Sequence, residues 1–196
     1  MEYSHFALTL VTPPVLEPVT LAETKAHLRI EHTLEDILIG SLITAARNFV
    51  ENFTRRALIE QSWKLTLDQF PCWEIYIPKP PLISITKFEY LNSLGLTASL
   101  TETVDFIKDI ESEPARLTPF YLGTWPIAYN QMNAVSITYK CGYGAAAATV
   151  PTAIKQSILL LVGHWYNNRE QTVPINLSQI PLGAEYLLWP YRDLRI

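Results

Sequence analysis

The chain has 196 residues with 15 Lys and Arg against 19 Asp and Glu, a formal net charge of −4; broad gripping of phosphate backbones, which rests on clustered basic residues, is thereby disfavoured. A chain of this length buries about 70% of its unfolded surface, enough for a real core. With 48% hydrophobic and only 17% charged residues it is charge-poor, which predicts apolar surface kept for a partner in an oligomer or complex.

Residues 1 to 19 begin with an alternating run, Phe6, Leu8 and Leu10, and pass into TPPVLEPVT, whose prolines predict an extended arm or edge strand rather than a helix. Thr20-Leu21-Ala22-Glu23 has the capping-box form and opens a short helix through about Leu28, with Leu21, Lys25 and Leu28 on the side to be covered. The longest regular segment runs from Thr33 to Leu58. There Leu34, Ile37, Leu38, Leu42, Ala45, Ala46, Phe49, Val50 and Phe53 recur at steps of three and four, one face of an amphipathic helix. Thr33 is placed to cap it, Glu35 and Asp36 suit its first turn, and Arg55 with Arg56 suit its end. The opposite face carries Ser41, Thr44, Arg47, Asn48, Glu51 and Asn52. It is open to water or to a neighbouring subunit, and Ser41, Arg47, Asn48, Glu51 and Arg55 are the candidates for that subunit interface.

After Leu58 the period changes to two. In Ser62 to Leu67, Trp63, Leu65 and Leu67 alternate with Lys64, Thr66 and Asp68, and the pattern returns at Glu74 to Ile77, Ile83 to Tyr90, weakly at Leu96 to Leu100, at Phe106 to Ile110 and at Ala134 to Lys140. Prolines, Asn92, Gly95 and Gly123 punctuate these runs as turns. Residues 60 to 141 therefore read as an antiparallel β module inserted between helices. GYGAAAAT, from Gly142, is a small-residue linker, and Pro151 suits the first turn of a helix from Ile154 to about Tyr166 with Ile154, Ile158, Leu161, Val162 and Trp165 on one face. Beyond Arg169 the chain is rich in proline and aromatics, with one short helix at Ala184 to Leu188. Leu182, Tyr186, Leu187, Leu188, Trp189 and Tyr191 make this tail a docking segment.

The fold expected is α+β: a bundle of amphipathic helices with an inserted antiparallel β module and an extended C-terminal tail. Its parts are an N-terminal arm and helices (1–59), the β module (60–141), a linker and core helix (142–170) and the tail (171–196).

Catalytic and metal signals are weak. Gly142-Tyr143-Gly144-Ala145-Ala146-Ala147 formally meets a dinucleotide-binding pattern, but no helix starts at once and no second parallel strand follows, so it reads as a strand-to-helix connection. His164 near a helix end reads as a packing residue or dipole partner. Cys72 and Cys141 are far apart and no Cys/His set has metal spacing, so no cofactor or metal is expected. Glu111, Glu113 and Arg116 read as a solvated polar turn, and Trp73, Tyr76, Trp125 and Tyr129, without interleaved basic residues, as packing of the β module. The N-terminus lacks the pattern of a signal peptide, and the run Ile158 to Val162 is too short to span a bilayer.

In order along the chain, PVTLAETKAHLRI (Pro18 to Ile30), EDILIGSLITAARNFVENFTRRALIEQSWKLTLDQFP (Glu35 to Pro71), IPKPPLISIT (Ile77 to Thr86), SEPARL (Ser112 to Leu117), VSITYKCGYG (Val135 to Gly144), VPTAIKQSILLLVGHWYNNRE (Val150 to Glu170) and the closing LLWPYR resemble the head-tail connector, or adaptor, proteins of long-tailed phages and gene transfer agents. The resemblance implies a structural protein of the virion neck and no enzyme. Such adaptors assemble in the host cytoplasm as a twelve-fold ring beneath the portal, extend the DNA channel and present a platform to stopper and tail proteins. It further implies that DNA passes through without specific binding, that the C-terminal tail embraces the portal, and that no membrane is involved. Rival readings are a packaging factor that binds DNA directly and, behind it, a nucleotide-binding enzyme using Gly142, Gly144 and His164.

Overall fold

The computed structural model describes residues 6–120, 123–168 and 182–194. The chain divides into a β unit (Met1–Val15, Glu60–Tyr143, Asp193–Ile196) and a helical unit (Leu16–Ile59, Gly144–Arg192).

In chain order the β unit holds β1 (Phe6–Thr12), β2 (Gln61–Leu67), β3 (Ile75–Tyr76), β4 (Leu82–Leu91), β5 (Thr97–Ser99), β6 (Phe106–Asp109), β7 (Arg116–Pro119) and β8 (Val135–Cys141). They form a five-stranded antiparallel sheet, order β1-β2-β8-β4-β5, and a three-stranded one, order β3-β7-β6. The alternation expected of β8 is strict: Val135, Ile137, Tyr139 and Cys141 are all buried. Leu67 and Leu65 of β2 stand opposite Val135 and Ile137, so one face of the sheet is a continuous apolar layer. Phe88 of β4 meets Phe106 edge to face at 5.1 Å, and Trp125 stacks on Phe70 at 5.3 Å, an aromatic cluster beside a mostly aliphatic core. The Tyr139 hydroxyl donates to the Pro78 carbonyl at 2.9 Å, and burial pushes its pKa far above the usual phenol range.

The N-terminal arm, expected to be extended or an edge strand, pairs with β2 at the edge of the larger sheet. One expectation for this unit needs correction. Arg116, read as part of a solvated turn, begins β7, and its guanidinium bridges Asp109 at 2.8 Å and Glu74 at 2.9 Å. Glu74 comes from a distant segment, which spacing along the chain could not reveal, while Asp109 lies only seven residues before Arg116. Of the aromatics assigned to packing, Trp125 lies in the cluster while Trp73 and Tyr129 are exposed.

The helical unit holds α1 (Leu21–Leu28), α2 (Asp36–Thr54), α3 (Thr152–Asn167) and α4 (Leu182–Leu188), the last followed by a 3-10 turn at Trp189–Tyr191. The capping box at α1 is formed as read: Thr20 Oγ1 accepts from Glu23 N at 3.1 Å and Glu23 Oε2 accepts from Thr20 N at 2.7 Å. At α2 the sequence reading fails in two respects. The N-cap is Glu35, not Thr33, and no side chain caps the first turn; the two carboxylates there are instead engaged from afar, Glu35 by the Tyr166 hydroxyl and Asp36 by Lys25 at 2.7 Å. The buried stripe is Ile39, Ile43, Ala46, Val50 and Thr54, whereas Leu34 and Ile37 are 88% and 91% exposed. ILIGSLI is apolar on more than one face, so periodicity alone did not choose which face turns inward.

In α3, Ile154, Ser157, Ile158, Leu161 and Val162 are buried, close to the predicted face; Pro151 is its N-cap rather than its first helical residue. Gly144 has φ +149°, and a Cβ there would lie 2.9 Å from Thr149 Oγ1, so the linker needs glycine at this point. The short helix read at Ala184 to Leu188 is present as α4, with Ala184 and Leu188 fully buried inside the helical unit. The part of the tail at 171–181 lies outside the described residues.

Candidate assembly surfaces

The polar face of α2 was the sequence's choice for contact with a neighbour, and the structure divides it. Ser41 and Asn48 are exposed, the Ser41 hydroxyl donating back to the Leu38 carbonyl at 2.7 Å. Arg55 is exposed at the C-cap of α2 with φ +58°, the left-handed conformation that costs any residue but glycine roughly 1–2 kcal/mol. Arg47 and Glu51 are drawn inward. Arg47 Nε approaches Glu17 Oε2 at 2.8 Å as an ion pair, while Thr44 Oγ1 donates to Glu17 Oε1 at 2.9 Å. Glu51 is buried and accepts the Leu58 backbone N–H at 2.9 Å, with Arg47 4.0 Å away. This carboxylate fastens the turn after α2, so that Ala57, Leu58 and Ile59 are buried in sequence.

At the C-terminal end, α4 presents Leu182, Tyr186 and Trp189 outward, Tyr186 being 72% exposed. Leu187 and Tyr191 are half-buried, and Leu188 is spent in the unit's own core. The 3-10 turn is held from two sides: Arg56 donates to the Tyr191 carbonyl, and the Arg192 guanidinium lies 5.3 Å from the Phe53 ring and 5.2 Å from that of Trp189. Arg56 thus anchors the C-terminal segment.

Leu34 and Ile37, read from the sequence as part of the buried face, are exposed, as are Leu182, Tyr186 and Trp189, which were read as docking residues. For Leu34 and Ile37 the available signal was position: they flank the helix start, where the covered stripe has not begun.

Nothing in the described residues assembles into a reaction centre. No group of His, Cys, Asp or Glu among them could hold a metal ion. His164 lies in the last turn of α3, where its carbonyl accepts from the Asn168 N–H at 3.0 Å, while α3 itself starts eight residues after Gly144. The glycine pair therefore does not lead straight into a helix N-terminus, as a phosphate cradle requires. No described helix is long and apolar enough to cross a membrane.

The family profile for phage gp6-like head-tail connector proteins matches residues 18–103 and 125–192. No curated protein matches the chain. Among solved structures the fold is similar to a chain in the virion of a native gene transfer agent particle, with a TM-score of 0.80 and 22% identity over 96% of both chains. A chain in the neck of an empty gene transfer agent particle computed with C6 symmetry gives 0.80 and 22% over 97% of both. One in the neck of the native particle computed with C12 symmetry gives 0.71 and 21% over 97% of both.

Proposed function

The chain belongs to the phage gp6-like head-tail connector family, and from that premise we propose that it forms a closed ring at the head-tail junction of a phage-like particle, seated on the portal, extending the DNA channel and presenting a platform to the stopper or tail-completion protein. The family match over both the helical and the β segments is the observation that carries this reading. The C12 symmetry of a neck with the same fold supports twelve copies. In a cyclic ring each contact is heterologous, so one surface of a subunit meets a different surface of the next. Ser41, Asn48 and Arg55 on α2 are the exposed polar candidates for one side of that contact. Arg47 and Glu51 act by shaping the helix end that presents Arg55.

The portal-docking role falls to the outward side chains of α4 and the turn after it, Leu182, Tyr186 and Trp189, with Leu187 and Tyr191 at the edge of the patch. Leu188 supports the patch from below.

Electrostatics favour a conduit over a DNA-binding factor. Lys25, Arg47, Lys87, Lys108, Arg116 and Lys140 are each paired with a carboxylate within the chain. With these charges neutralised locally and a net charge of −4, DNA slides past without being held. The role is structural and needs neither cofactor nor catalytic group.

Electron microscopy of the purified protein mixed with its cognate portal tests the reading. A twelve-fold layer on the portal is expected; monomers that never join it would refute the ring, and a gel shift at physiological salt would turn the argument toward direct DNA binding.

A further inference from the structure

The turn after α4 carries a guanidinium whose charge meets no carboxylate. Arg192 lies with its central carbon 5.3 Å from the Phe53 ring and 5.2 Å from that of Trp189, and its backbone N–H bonds to the Trp189 carbonyl at 3.2 Å. Held against two rings, the planar group has lost much of its rotamer freedom before any partner arrives. Its Nε is buried and has no hydrogen-bond acceptor. Among the described residues no carboxylate forms an ion pair with it, whereas Lys25, Arg47 and Arg116 each hold one at 2.7 to 2.9 Å. A partly desolvated cation with an unsatisfied donor gains more from an incoming carboxylate than a fully hydrated arginine does.

The side chains around it set the rest of the ligand. Leu182, Tyr186 and Trp189 recur at steps of four and three, so one face of α4 and its turn is apolar, with Tyr186 72% and Trp189 47% exposed. Trp, Tyr and Arg are the residues in which protein interfaces concentrate their binding energy, a desolvated centre ringed by apolar contact. This composition fits a polypeptide and not a phosphate backbone. Surfaces that hold DNA gather several cations, and across residues 182–191 the only charged side chain is Glu185, which repels phosphate.

We propose that Arg192 takes a carboxylate of the portal, an Asp or Glu side chain on a segment whose apolar neighbours cover Tyr186 and Trp189. The proposal rests on the portal-docking reading above and adds to it the charge this partner carries. The guanidinium fork matches a carboxylate in two parallel hydrogen bonds, so the apolar face supplies contact area while the ion pair fixes the register of the segment.

The test measures binding of the full-length protein to immobilised cognate portal for the unaltered chain, Arg192→Met, Arg192→Lys and Tyr186→Ala, at about 50 and 500 mM salt. Arg192→Met keeps a long apolar side chain against the two rings and removes the charge; the dissociation constant is expected to rise roughly tenfold or more. Arg192→Lys keeps the charge without the fork and falls between the two. Binding of the unaltered protein weakens with salt, and Arg192→Met loses most of that dependence. Each exposed Asp and Glu of the portal is then changed singly to Arg. One such portal is expected to lose the unaltered protein and to regain binding with Arg192→Glu, a rescue that reads the pair directly whether or not Arg192→Met alone lowers stability. Portal binding by Arg192→Met at the unaltered level and salt dependence overturns the proposal, as does a full set of portal variants without an exchange partner; if Tyr186→Ala still weakens capture, the portal-docking reading stands without it. Loss of duplex DNA retention in Arg192→Met with portal binding unchanged also overturns it and makes phosphate the ligand. If the unaltered protein never binds the portal, the docking reading itself has failed and the proposal falls with it.

Discussion

Replacing Glu51 by alanine separates the two roles open to this residue, interface contact and internal cap. Its carboxylate is buried and accepts the Leu58 N–H at 2.9 Å, so Glu51→Ala leaves that donor without a partner, at a cost of about 1–3 kcal/mol. The Arg47 pair at 4.0 Å adds at most about 0.5 kcal/mol, the range for i,i+4 partners on a helix. The sum is about 1–3.5 kcal/mol, which lowers the melting temperature of a chain this size by roughly 2–14 °C. Glu51→Gln retains an acceptor at the same place and loses only the charge assistance, about 1 kcal/mol. The assay is thermal and urea unfolding of the free protein, followed by circular dichroism, with ring formation on the portal scored separately. Glu51→Gln is expected to form rings at the unaltered level. If Glu51→Ala melts within a degree or so of the parent but loses the ring, the carboxylate faces the neighbour and the internal account is refuted.

Leu188→Ala empties a fully buried site and is expected to cost about 2–5 kcal/mol in urea unfolding, whereas Tyr186→Ala, at an exposed site, changes stability by less than about 0.5 kcal/mol and weakens capture by immobilised portal; equal effects of both on stability would contradict the placement of α4. Thr20→Ala removes one half of the capping box and costs about 1 kcal/mol. Hydrogen bonds from the Thr20 backbone and then its hydroxyl hold the Glu23 carboxyl below its usual range, so its contribution is full above the ordinary glutamate pKa and is lost as pH falls through the depressed folded value; Glu23→Gln is expected to flatten that part of the stability–pH curve. Arg116→Ala releases Asp109, whose pKa is held down first by the hydrogen bond from Arg116, and an NMR titration is expected to show it rise toward the ordinary aspartate range; an unmoved Asp109 would mean the Ser112 and Glu111 contacts hold it alone.

The sequence made legible whatever is decided within a few residues. The capping box at Thr20 and Glu23, the alternation of β2 and β8 and the apolar face of α3 depend on local spacing, and each is present. What spacing could not reach were choices made by distant partners. Glu17 meets Thr44 and Arg47, Glu35 meets Tyr166, and Arg116 meets Glu74. The first two contacts decided which side of α2 was free, and pairing with β3 and β6 turned a supposed loop into β7. The candidate surfaces were legible in the same measure: α4 was recognised as apolar beyond need, but only folding separates Leu188, consumed inside, from Tyr186, left outside.

The order of strands also bears on when the protein becomes itself. Among the described residues β8 is the last strand in the chain, and it lies in the centre of the larger sheet, between β2 and β4. Before residues 135–141 leave the ribosome, β1 with β2 and β4 with β5 are separate two-stranded pieces, each marginal in water. Closure across so many residues is slow, and a chain that stops short of Val135 exposes two inner edges at once, a template for aggregation. A chain that ends before Val135 therefore lacks the strand that joins the two parts of the larger sheet, so that sheet closes only after residues 135–141 have been made.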